Sequence, residues 1–281
     1  AALAAAVQMR LVARLSVSLI GPPQAPLRLP LGRARAAVEA GLWVLLLVVV
    51  VLPLLSMVAT ALLPTLGVPL SWETASARHF GEVLLRQDVT LRALANSAGL
   101  AVAAAAGVTV LAIGLGALMR EGGAAGRGAR SIALMAETAY ALPGLVISVA
   151  FIIVFLRPLP ILGLSIYGTH AIILGAYLAA FLALGLKPVV VAFAALDPAL
   201  DDAARVAGAG FWRRLLRIDA PLVLPAGMSG AVLVALIAFS EVTLSSILWT
   251  RGTETLGTVI FNYEDGGYAG LAAAMSVVAV V

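Results

Sequence analysis

Asp202-Ala203-Ala204-Arg205-Val206-Ala207-Gly208, running on to Ile218-Asp219-Ala220-Pro221, is the stretch that decides the fold. It reads as a small-residue helix, a glycine break, a basic aromatic helix and a proline. Asp197-Pro198 suits the start, because an Asp side chain accepts from the first free N–H groups and proline fits the first helical position. Gly208 and Gly210 let the chain turn where a side chain would be strained. Phe211, Trp212, Leu215 and Leu216 give the second helix an apolar side, while Arg213, Arg214 and Arg217 keep it wet. The stretch lies between two long apolar runs, and composition alone leaves an ordinary interfacial loop open.

Outward from it, the chain is greasy. Of its 281 residues 62% are hydrophobic and 11% charged, with a mean hydropathy of +1.09. Soluble domains carry about 25% charged residues, so a soluble globular protein is excluded and a polytopic membrane protein is expected. Uncharged runs cover 40–72, 93–119, 138–156, 158–186 and 220–240, with a shorter one at 266–281. These give about six spans, the last incomplete. The runs do not alternate with polar residues as barrel strands do, so the fold class is an all-α membrane protein. The chain has no cysteine, hence no disulfide framework and no thiolate metal site.

Residues 1–38 hold Arg10, Arg14, Arg28, Arg33 and Arg35 among prolines that forbid a continuous helix. No secretory signal pattern is clear. The segment reads as the end of a preceding span and a basic cytoplasmic linker, with a disordered tail as the alternative, and residues 39–281 as the transmembrane domain. Most of the 18 basic residues fall in the lead-in, near 120–130 and in 187–219. Basic loops are retained in the cytoplasm, so the stretch at 197–221 faces inward.

Polar residues inside or beside the spans are functional candidates, because lipid tolerates them poorly. Asn96 and Ser97 open the second span. Glu137 and Tyr140 precede the helix-breaking Pro143-Gly144, which frees carbonyls that protein or water must cover. Ser240, Glu241 and Thr243 lie towards the outer end of the fifth span. The plainer readings are a structural kink at Pro143 and a headgroup-level position for Glu241. His79 and His170 have no companions that would suggest a metal site. Gly122-Gly123 and Gly126 lack the Lys and preceding strand of a phosphate-binding loop, so ATP hydrolysis by this chain is not expected.

An acidic residue, two alanines, a glycine four residues on, then an isoleucine and a proline resembles the EAA loop of ABC importer permeases. Asp202 stands where Glu is usual, and Ala220 where Leu usually precedes the proline. The resemblance covers about 30–281. It implies a type I importer fold with a cytoplasmic coupling-helix loop at 197–221, in which Asp202, Ala203, Ala204, Gly208, Ile218 and Pro221 dock a separate ATPase dimer. That partner would hold ATP and magnesium, and this chain no cofactor. The other implied partners are a periplasmic solute-binding protein and a second permease half, in a bacterial inner membrane, with no nucleic acid. The resemblance places the Pro143-Gly144 span beside the translocation path, and with the polar residues noted above the candidates to line it are Asn96, Ser97, Glu137, Tyr140, Pro143, Gly144, Ser240, Glu241 and Thr243. Leu31-Gly32-Arg33-Ala34-Arg35 resembles the linker of fused permeases. Ser240 to Leu248 with Thr253 to Gly257 resembles the ferric-iron branch, near thiamine and aminoethylphosphonate permeases. The rival class is a proton-coupled secondary transporter using Glu137 or Glu241.

Overall fold

The computed structural model describes residues 32–65, 67–158, 163 and 165–280. The expected linker and preceding span at the chain's start lie almost wholly outside these residues. The described chain is helical throughout its ordered elements: α1 (Arg35–Leu62), α2 (Arg78–Gly81), α3 (Asp88–Glu121), α4 (Gly123–Tyr140), α5 (Gly144–Phe155) and α6 (His170–Ala195). Then come α7 (Pro198–Val206), α8 (Phe211–Phe239), α9 (Ser245–Leu248), α10 (Leu256–Asp265) and α11 (Ala269–Val280).

Four helices among these are long and apolar enough to cross a membrane: α1, α3, α6 and α8. A fifth span is available if α4 and α5, which meet at a bend of 118°, are taken together. The expectation of about six, the last incomplete, meets four or five among the described residues. The run 138–156 does not form one straight helix, because Pro143, expected to break it, takes φ −57° and ψ 137° and ends the helical path there. The run at 266–281 holds a 12-residue helix that reaches Val280, about 18 Å long.

By contacts the described chain divides into two compact units. The first runs from Asp88 to Phe261 and is built on α3, α6 and α8. One core cluster joins Leu100, Ala104 and Val108 of α3 to Ile173, Tyr177 and Phe181 of α6 and to Val234 of α8. A second joins Ala112 and Leu115 to Val189, Phe193, Leu215 and Val223. Between apolar helices in lipid, close backbone approach replaces the water-driven term, so small residues mark the seam. A Cβ on Gly230 would stand 3.1 Å from the Gly185 Cα and carbonyl oxygen, and one on Gly185 would stand 2.3 Å from Val108 Cγ1. The second unit takes in the described residues up to Gln87 and those from Asn262 onward. In it α11 packs on the C-terminal part of α1, and His79 Nδ1 lies 3.0 Å from the Ala61 carbonyl oxygen.

The start of α8 corrects the short helix-turn-helix read from sequence. Phe211 to Arg214 does not end before the span; it runs into it through a π turn at Leu215–Asp219. Pro221 sits in the first turn beyond that, where its missing N–H interrupts little. Phe211 to Pro221 are therefore the first turns of the same continuous helix that carries the span.

Candidate functional site

Asp197 accepts from the Ala199 N–H at 2.9 Å and starts α7, as its position before Pro198 implied. The helix ends by two crossing bonds, Gly208 N–H to the Arg205 carbonyl at 3.0 Å and Ala209 N–H to the Ala204 carbonyl at 2.9 Å. This closure requires a left-handed residue between the two donors' helix and the outgoing chain. Gly208 supplies it at φ +71°. Nothing lies within 4 Å of the place its Cβ would occupy, so only the backbone conformation, and no neighbour in the chain, selects glycine here.

The two aspartates of α7 differ. Asp202 is exposed. Asp201 is turned inward on the same face as buried Ala204 and belongs to a charge cluster that the sequence reading did not single out. Arg120, at the end of α3, donates from Nε to Asp201 Oδ2 at 2.6 Å. Its two other nitrogens reach the carbonyls of Phe193 at 2.7 Å, Leu196 at 3.2 Å and Asp197 at 3.1 Å. It thus satisfies acceptors left open where α6 ends. The next residue, Glu121, pairs with Arg205 of α7 at 3.3 Å and with Arg214 of α8. Arg214 is only 5% exposed; its Nε stands 3.3 Å from Asp201 Oδ1 and 3.7 Å from Asp219 Oδ2. Three cations and three anions from α3, α7 and α8 thereby balance in one place. The available signal was helical phase: Asp201 is three residues before Ala204, so an inward alanine takes the aspartate with it.

The opposite face of this segment is apolar and open. Val206 is 90% exposed, Trp212 70% and Leu216 67%. Ala203, Gly208 and Pro221 are exposed too, Ile218 is half-buried and Ala204 is buried. Arg205, Arg213 and Arg217 lie among them, all exposed. Large apolar side chains at such exposure next to cations fit an interface with another protein or with lipid headgroups.

The remaining sequence candidates fall in three places. Tyr140, Gly144, Glu241 and Thr243 line one cavity of about 150 Å³, with Phe181 and Leu244. Glu241 lies there because its carboxylate accepts from the Leu244 N–H at 2.8 Å and the Ser245 N–H at 3.0 Å, holding the turn of α9. Pro143 and Ser240 are exposed nearby in the chain, and Ser240 Oγ donates back to the Leu236 carbonyl. Glu137 pairs with Lys187 of α6 at 3.3 Å, and the Lys187 ammonium stands 5.7 Å from the Tyr140 ring centre. Asn96 and Ser97 are elsewhere, bound to the segment before α10. The Asn96 amide donates to the carbonyls of Gly252 and Glu254 at 3.1 and 2.9 Å, and buried Ser97 Oγ accepts from the Leu256 N–H at 2.8 Å. Glu254, buried beside them, accepts from the Gly252 N–H at 2.9 Å and from Arg92 at 3.3 Å. No group of acidic or histidine side chains that could hold a metal occurs among the described residues.

No family model matches the chain. Among curated proteins it is 26% identical to the putrescine transport system permease protein PotI of Escherichia coli K12 over 199 residues, 68% of this chain and 67% of that protein. It is 33% identical to the probable ABC transporter permease protein y4fN of Sinorhizobium fredii over 124 residues, 42% of this chain and 21% of that protein. Among solved structures, a bacterial ABC transporter that imports the acidic polysaccharide alginate superposes with a TM-score of 0.61 at 16% identity. The match covers 88% of this chain and 91% of that one. The same transporter type bound to an alginate-loaded periplasmic protein gives 0.64 at 17% identity, over 89% and 92%. By these comparisons the chain is similar to ABC transporter permeases, and it shares its fold with a chain of the bacterial alginate ABC transporter.

Proposed function

We propose that this chain is the permease of an ATP-driven importer, and that its 197–221 segment docks a cytoplasmic ATPase. The observation that carries the reading is the exposed apolar and basic face of that segment, with Val206, Trp212 and Leu216 among arginines. A membrane protein that leaves such a face open between two spans has a partner for it. Asp202, Ala203, Ala204 and Gly208 form the docking helix and its closure, and Ile218 and Pro221 form the root that joins it to the span. ATP and magnesium belong to the partner. A periplasmic binding protein delivers the solute on the opposite side, and a second permease half completes the path, in a bacterial inner membrane. The solute read from Ser240 to Gly257 is small and charged, with ferric iron, thiamine and aminoethylphosphonate as the candidates. The relatives' names speak of putrescine and alginate and favour none of these three.

Proton coupling through Glu137 or Glu241 has less support. Glu137 is paired with a lysine and Glu241 holds two backbone N–H groups, so each has a structural task already.

The test is affinity purification of the tagged chain from its own host. An ATPase is expected to come with it. Gly208→Asp is expected to reach the membrane in normal amount, to lose the ATPase and to stop uptake of the solute. A left-handed position costs a non-glycine residue about 1–2 kcal/mol, and an unpartnered charge is desolvated in a docking cleft. If the variant keeps the ATPase and transports normally, the segment is a surface loop and the reading fails. Uptake of labelled iron, thiamine and the phosphonate, with and without binding protein, sorts the solutes.

A further inference from the structure

Arg214 has one Nε–H and two carboxylates in reach of it, on different elements. Asp201 Oδ1 of α7 is at 3.3 Å and Asp219 Oδ2 of its own helix is at 3.7 Å. Neither contact has hydrogen-bond geometry, and the buried Nε is left without a bond. A buried donor poised between two acceptors gains a full bond by a small shift towards either one. The rest of the cluster leaves α7 little independent freedom. Arg120 binds Asp201 and three carbonyls at the end of α6, and Glu121 grips Arg205 on one side and Arg214 on the other. A displacement of α7 is therefore delivered to the ends of α3, α6 and α8 together, and the one bond free to change partner is that of Arg214.

We infer that this cluster is the joint through which movement of the docking segment reaches the membrane spans, and that Arg214 is its positioning residue, exchanging its Nε–H between Asp201 and Asp219 as α7 moves. The inference rests on the importer reading above. A mechanical link needs an element with two discrete arrangements rather than proximity alone, and the two carboxylates supply them.

The experiment measures solute moved per ATP hydrolysed by the whole transporter, with its ATPase and binding protein, in proteoliposomes. Two variants are read side by side. Arg214→Gln with Asp219→Asn removes one charge of each sign and leaves the cluster neutral. Arg214→Lys keeps the charge and discards the fork. In both, the ATPase is expected to remain bound and to hydrolyse ATP, while the transport ratio falls about tenfold, within the usual range of coupling between sites. A purely structural role would lower the amount of transporter and leave the ratio alone. An unchanged ratio in either variant overturns the joint, as does loss of the ATPase, which would make the cluster part of the docking face. If the unaltered chain retains no ATPase, the importer reading itself falls, so the two failures are distinct.

Discussion

Glu254 sits in the non-helical segment before α10, and burial alone would push its carboxyl up. The Gly252 N–H, its own N–H and the Arg92 guanidinium outweigh that and bring it below its ordinary value of 4.5. A depressed carboxylate stabilises the fold above its unfolded value, and that contribution is lost as pH falls through the lower folded one. Glu254→Gln should therefore unfold at a lower temperature than wild type near neutrality, with the gap closing as the pH drops below about 4.5. A gap that stays constant over the whole acid range would mean that the charge is not its source. At this scale the sequence was partly legible. The cap at Asp197 and the left-handed Gly208 could be read from residue type alone, since few residues suit those backbone positions. Asn96 and Ser97 were found as polar residues at a span's start, yet their partners, more than 150 positions away in the chain, follow only from folding. Asp201 and Asp202 were indistinguishable until the phase of α7 was known.

Elements show a different balance. The long apolar runs located α1, α3, α6 and α8 well, because nothing else satisfies a backbone in lipid. Pro143-Gly144 marked the break between α4 and α5, but hydropathy is blind to direction, so its 118° angle and the continuity of α8 through residue 215 were not in the pattern. Nor was the seam of α3, α6 and α8, since the sequence holds 27 glycines and only geometry picks out Gly185 and Gly230. Gly185→Ala places a methyl against Val108, and overpacking of this kind costs about 1–3 kcal/mol. The variant should show that loss in detergent unfolding, and Val108→Ala added to it should recover part. If the single variant is as stable as wild type, the close approach at this seam is not needed.

For the whole molecule the basic residues made the orientation legible. Ala125 and Val206 should face the cytoplasm and Trp72 the opposite side. The chain has no cysteine, so single replacements at these exposed positions can be tested with an impermeant thiol reagent on intact spheroplasts. Trp72→Cys should react and the other two should not until the membrane is opened; the reverse pattern would invert the topology. One further consequence belongs to the π turn at Leu215–Asp219. In plain α geometry residues five apart point about 140° away from each other, so Arg214 and Asp219 converge only because that turn holds an extra residue. Deleting one residue there would restore regular winding with Arg214 and the aspartate four apart, about 40° from each other and still on one side. Adding one to the regular helix beyond the turn would instead rotate everything before it by about 100°, and Arg214 would leave the side on which Asp201 waits. A change of length at the π turn is thus absorbed locally, whereas the same change in the regular winding that follows is passed on to the whole cluster.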